Sequence, residues 1–164
     1  MNLFSNIRRI AQNRTTYDIG LIQARGYRML KHLTATVVNK EGLSTSEWAM
    51  VGIISHHPGG VRSTEIAELL GVKPPLVSRL ITRLEKEGWV TVIQGADKRE
   101  RILSLTKQAT IRLPKIEAQV RKELAQLLKG VSTSDLVGYL KTLSLIAENS
   151  KDIPQGSLRD YLPQ

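Results

Sequence analysis

The chain has no cysteine among its 164 residues, only 4% aromatic residues and 3 histidines. Without cysteine there is no disulfide framework, no thiolate zinc site and no thiol redox switch. With so few aromatics, Leu, Ile and Val must carry the packing. No apolar run approaches the ~20 residues that cross a bilayer as a helix. The first residues, MNLFSNIRRIAQNR, are interrupted by Arg8 and Arg9 and lack the long apolar centre of a signal peptide. These absences point to a cytoplasmic protein with no membrane partner. Around His32, His56 and His57 no Ser, Asp or Glu pattern resembles a catalytic triad. A Gly-rich phosphate loop is missing too. The expectation is a chain that is not an enzyme, with no catalytic residue, no metal ligand set and no cofactor.

What is present is positive charge: 24 Lys and Arg against 15 Asp and Glu, a formal +9. That excess favours a polyanionic partner. The hydrophobic fraction is 41%, ordinary for a globular chain. The length suits one domain with extensions.

Apolar residues recur at helical steps from Thr16 to Asn39, through Ile19, Ile22, Met29, Leu30, Leu33 and Val37. Gly42 stops that run. Ser44 followed by Glu47 is a capping-box pattern that opens a helix through Trp48, Val51 and Ile54. Pro58, Gly59 and Gly60 predict a turn. RSTEIAELLG is a short helix stopped by Gly71. PPLVSRLITRLEKEG starts another three residues on, with Pro74 and Pro75 tolerable only in its first turn. Its stripe is Leu76, Val77, Leu80 and Leu84. Two helices joined so tightly form a helix-turn-helix over about 63–87. Two apolar runs from Val90 to Leu105 flank a charged tip, a hairpin of about 90–105. Thr106 then caps a long helix through Leu113, Ile116, Val120, Leu124 and Leu127, which Pro114 should kink. Ser132 or Ser134 caps a last helix with Leu136, Leu140, Leu143 and Ala147. The fold class is mainly α: a winged helix-turn-helix at 44–106, with N-terminal (1–43) and C-terminal (107–150) helices and a polar tail, 151–164. The outer apolar stripes are left over, and their length favours a homodimer.

The free side of the helix after Lys73 carries Ser78, Thr82 and Lys86 at four-residue steps, with Arg79 and Arg83 alongside and no acidic residue. Such a helix fits the major groove of double-stranded DNA, where hydroxyls and Arg reach base edges and phosphates. Lys73 at the cap position opposes the helix dipole, which makes sense if it faces a phosphate. Pro75, like Pro74, cannot donate a backbone hydrogen bond, which leaves contacts there to side chains. In the hairpin, Lys98, Arg99 and Arg101 supply charge for a flanking minor groove. Asp97 would steady the tip by pairing with a neighbouring Arg.

LSTSEW, EIAELLGVKPPLVSRLITRLEKEGWV and DKRERILSLT together resemble the MarR family of winged-helix transcriptional regulators. The resemblance rests on the capped second helix, the helix-turn-helix ending in Leu-Glu-x-x-Gly, and a wing with Asp97, Arg99, Leu105 and Thr106. It is close from Leu33 to Lys107 and covers the outer helices in layout only. It implies a homodimer joined through the terminal helices on a pseudo-palindromic operator, usually as a repressor. Ser78, Arg79, Thr82 and Arg83 would then meet the major groove, and Arg99 the minor groove. It further implies a small aromatic or anionic effector between the dimer helices and the winged domain. Tyr27, His32 and Trp48 border that junction, with Arg25 or Arg28 to pair a carboxylate. Lys73, Pro75, Arg62, Ala109 and Pro114 depart from the family's pattern. Two alternatives stay open on sequence alone: a metal-responsive regulator of this fold using His56 and His57, and an architectural protein that binds DNA without sequence preference.

Overall fold

The computed structural model describes residues 7–13, 16–95 and 100–150. Among these, seven α-helices and three strands follow in the order α1 (Ile7–Asn13), α2 (Thr16–Val38), α3 (Thr45–Ser55), β1 (Val61–Arg62), α4 (Ser63–Leu70), α5 (Pro74–Lys86), β2 (Val90–Gln94), β3 (Arg101–Leu105), α6 (Lys107–Leu127) and α7 (Thr133–Asn149). The fold is mainly helical, a winged helix-turn-helix carried between long terminal helices. No helix among the described residues is long and apolar enough to cross a membrane.

Helix boundaries follow local chemistry. A 3-10 turn, Asn39–Glu41, ends α2, and Gly42 leaves it with φ 77. At α3 the Ser44 hydroxyl accepts from the Glu47 amide, while the Glu47 carboxylate accepts from the Ser44 amide at 2.7 Å. This reciprocal cap satisfies two donors that a helix start leaves open. Thr106 caps α6 by accepting from the Ala109 amide, and its hydroxyl donates to the Gly88 carbonyl at 2.7 Å. Ser132 caps α7 in the same way, through the Asp135 amide. Pro114 lies inside α6.

One core serves the whole winged unit. Val38, Met50, Val51, Ile54, Ile66 and Leu103 are all at most 2% exposed. α5 contributes Val77, Ile81 and Leu84 to it. Ile81 is absent from the expected stripe, which names Leu76 and Leu80 instead; both are half-buried, and Leu80 packs against the edge of the core. α2 packs along α6. By contrast, no residue of α7 is buried.

The wing departs from the two-stranded hairpin expected. β1 joins it, giving a three-stranded antiparallel sheet in the order β1-β3-β2. Leu103 pairs with Val61 on one side and Val92 on the other. A two-residue strand has too little pattern to show in a sequence. Gly60 makes the approach feasible: its φ is 89, and a Cβ there would stand 2.6 Å from Ile102 Cγ2. The separate short helix α1 is likewise not foreshadowed by the sequence pattern; its Ile10 is buried.

Candidate nucleic-acid interface

The amphipathic split of α5 positions the candidate site. With Val77, Ile81 and Leu84 turned into the core, Pro75, Ser78, Arg79, Thr82, Arg83 and Lys86 are exposed on the opposite side. The Thr82 hydroxyl donates back to the Ser78 carbonyl at 3.1 Å and keeps its oxygen as an acceptor. Arg79 makes no ion pair among the described residues. The face is not free of acid, contrary to expectation: exposed Glu85 stands near its C-terminal end. Its carboxylate lies 3.8 Å from Arg101 Nη2, so the acid faces the root of the wing.

Lys73 is the N-cap of α5, half-buried, and offers no side-chain cap. The structure supplies a local reason. Pro74 and Pro75 have no amide hydrogens, and the next amide, that of Leu76, bonds the Lys73 carbonyl at 3.1 Å. The first turn therefore leaves few donors for a cap to satisfy. A phosphate is not needed to explain the choice of residue at this position.

Two further Arg candidates have protein partners. Arg83 Nε lies 3.2 Å from Glu47 Oε1, and its Nη2 donates to the Gly42 carbonyl at 3.2 Å. The Glu47 oxygen has no aligned hydrogen bond, so that contact is an ion pair held by charge rather than by a directed N–H. Arg101 is half-buried at the start of β3, beside Glu85. Neither pairing shows in the sequence, because the partners are far apart along the chain. Arg62 adds a third: its Nε lies 3.3 Å from Glu100 Oε1 at the root of the wing. Asp97, Lys98 and Arg99 lie outside the described residues.

The effector candidates do not converge. A groove of ≈ 500 Å³ opens between α2, the start of α3 and the α4–α5 pair, lined by Tyr27, Leu30 and Lys31 on one wall and by Leu70, Leu76 and Leu80 on another. Lys31 Nζ sits over the Tyr27 ring, 5.8 Å from its centroid. Arg28 and His32 are exposed on α2 and do not line the groove. Arg25 lines a different groove, with Ile22, Met29 and Leu127. Trp48 is half-buried against the core. His57 Nδ1 lies 2.8 Å from the Ile53 carbonyl, and its Nε2 is 3.7 Å from Glu65. No group of three or more metal-ligating side chains gathers among the described residues.

Known proteins share this arrangement. The sequence pattern of the MarR family matches residues 41–100. The uncharacterized HTH-type transcriptional regulator YwoH of Bacillus subtilis is 36% identical over 94 residues, 57% of this chain and 68% of that one. The transcriptional activatory protein BadR of Rhodopseudomonas palustris is 30% identical over 135 residues, 77% of this chain and 75% of that one. Among solved structures, CouR of Rhodococcus jostii bound to p-coumaroyl-CoA superposes with a TM-score of 0.73 at 19% identity, covering 79% of this chain and 91% of that one. A mutant MarR of Escherichia coli complexed with operator DNA gives 0.69 at 16% identity, covering 78% and 92%. With a winged helix-turn-helix between long terminal helices and these relatives, the chain belongs to the MarR family of DNA-binding transcriptional regulators, a family of regulators and not of enzymes.

Proposed function

We propose that the protein is a sequence-specific regulator that binds a pseudo-palindromic operator as a homodimer, with α5 in the major groove and the wing over the adjacent minor groove, and that it acts as a repressor. The observation that carries this reading is the outward row Pro75, Ser78, Arg79 and Thr82, standing above the buried Val77, Ile81 and Leu84. Arg offers a bidentate fork to guanine, and hydroxyls reach base edges or phosphates. The complex of a mutant Escherichia coli MarR with operator DNA, a protein of this fold, supports operator binding.

The dimer reading is supported by apolar surface that one chain leaves uncovered. Val137, Leu140, Leu145 and Ile146 on α7 are each more than half exposed, and Ile19 and Met29 on α2 are exposed as well. Exposed apolar side chains in this number are what a second copy of the chain would cover. The groove beside Tyr27 is the place for a small aromatic or anionic effector, with Lys31 rather than Arg28 at hand for an anion. Binding of p-coumaroyl-CoA by CouR supports an effector with an aromatic acyl portion. Such a ligand lowers operator affinity if it favours a spacing of the two α5 helices unlike the one DNA needs.

Selection of duplexes from a random pool, followed by sequencing, tests the proposal. The expected product is one inverted repeat. Arg79→Ala should then relax the preference at one base pair per half-site, at a cost of about 1–3 kcal/mol, whereas Arg99→Ala should reduce the salt slope by about one. A pool that stays unenriched, with binding governed by salt alone, overturns it.

A further inference from the structure

Arg83 lies on the side of α5 that faces away from the core, the position of a base reader, yet its guanidinium is already engaged. It spans from the Glu47 carboxylate in the first turn of α3 to the Gly42 carbonyl at the end of the 3-10 turn. The Glu47 side chain is 1% exposed, and its second oxygen accepts from the Ser44 amide. A carboxylate so enclosed needs its counter-charge, since a buried ion stripped of its partner is strongly destabilising. The same 3-10 turn is held from its other side, where Arg112 of α6 donates to Glu41 at 3.1 Å. Arg79, one turn earlier on α5, has no such engagement among the described residues.

We infer that Arg83 is a positioning residue: through Glu47 and Gly42 it sets the angle at which α5 is offered to DNA, and it reads no base itself. The planar guanidinium suits this task, because its spread nitrogens reach the Gly42 carbonyl and the Glu47 carboxylate together, where an ammonium is a compact point charge on a flexible stem. The side chain remains 58% exposed, so exposure alone does not separate the two roles. The assignment rests on the DNA-binding reading above.

The test compares Arg83→Gln, Glu47→Gln, the double variant, Arg83→Lys and Arg79→Ala on the selected duplex, on its single-base variants and across a salt series. A positioning role predicts that Arg83→Gln and Glu47→Gln each weaken binding by about tenfold or more, the scale of one lost base contact. The loss should be uniform across base variants, with the salt slope unchanged and the double variant no worse than either single one. Arg83→Lys should lose affinity as well, despite keeping the charge. If instead Glu47→Gln binds like the parent while Arg83→Gln relaxes one base pair or flattens the salt slope, Arg83 touches DNA and the inference fails. Thermal unfolding without DNA provides a measurement independent of the operator: the melting shifts of Arg83→Gln and Glu47→Gln must be non-additive. Additive shifts overturn the clamp even if the operator is confirmed, whereas non-additive shifts with no duplex selected would sink the DNA reading and leave the clamp standing.

Discussion

The guanidinium of Arg112 lies over the ring of Trp89, 4.3 Å from its centroid. Trp89 is 2% exposed at the entrance to the wing, so the stacked cation is drawn against a desolvated face. Arg112 thereby links α6 to the wing, and through Glu41 to the turn before α3. Arg112→Ala is expected to lower stability by about 1–2 kcal/mol, in the range for a cation over a buried indole. Arg112→Lys should recover only part, having no plane to stack. Urea unfolding followed by circular dichroism decides this; an unchanged midpoint for Arg112→Ala would mean the stack adds nothing.

Gly60 and Gly130 both adopt positive φ, 89 and 83, but only Gly60 is crowded. Gly130→Ala should cost about 1–2 kcal/mol from the left-handed backbone alone. Gly60→Ala should cost clearly more, because Ile102 must also move. Equal melting temperatures for the two variants would show that the β1–β3 seam yields freely.

Leu140→Glu places a charge on the exposed apolar side of α7. The parent is expected to sediment at twice the chain mass at micromolar concentration, and the variant at the monomer mass with operator affinity sharply reduced. A monomeric parent that binds operator tightly would refute the dimer.

Asp135 is held below the usual carboxylate pKa, first by the Ser132 hydroxyl and then by the Ser132 amide, both of which favour its charged form. A folded-state pKa lowered in this way contributes stability above the ordinary carboxylate value and loses it as pH falls through the depressed one. Asp135→Asn should therefore melt below the parent at pH 7, and the gap should close in acid below the ordinary Asp range. A gap that widens on acidification would show the sign to be wrong.

A phenolic acid such as salicylate is expected to quench tryptophan fluorescence and release operator over one concentration range. Lys31→Ala should weaken that release and Arg28→Ala should not, since Lys31 lines the groove with Tyr27 and Arg28 does not. Identical titrations for the two variants would place the anion elsewhere.

The parts of the fold that local chemistry dictates were legible in the sequence. Ser44 with Glu47 announced α3, Gly71 ended α4, and Pro74 began α5, because caps, glycine and proline act within a few residues. The outward positions of Ser78, Arg79 and Thr82 followed from the helical repeat. What escaped was long-range. Glu47 was visible as a cap but not as the partner of Arg83, and Arg62 as a departure from the family's pattern but not as the partner of Glu100. Tyr27, Arg28 and His32 share a helix, yet only Tyr27 reaches the groove, because residues one and five positions on turn away from it.

In the sheet order β1-β3-β2 the strand leaving the wing lies between the other two. The root of the hairpin is therefore stitched to Val61 and Arg62, which lead directly into α4 and then α5. In the proposed complex, helix and wing act like two prongs cast in one piece, their separation set within each copy. An effector of the proposed kind would act on how far apart the two castings stand. Base changes inside a half-site then answer to the fold of one chain, and changes in the gap between half-sites answer to the joint between two.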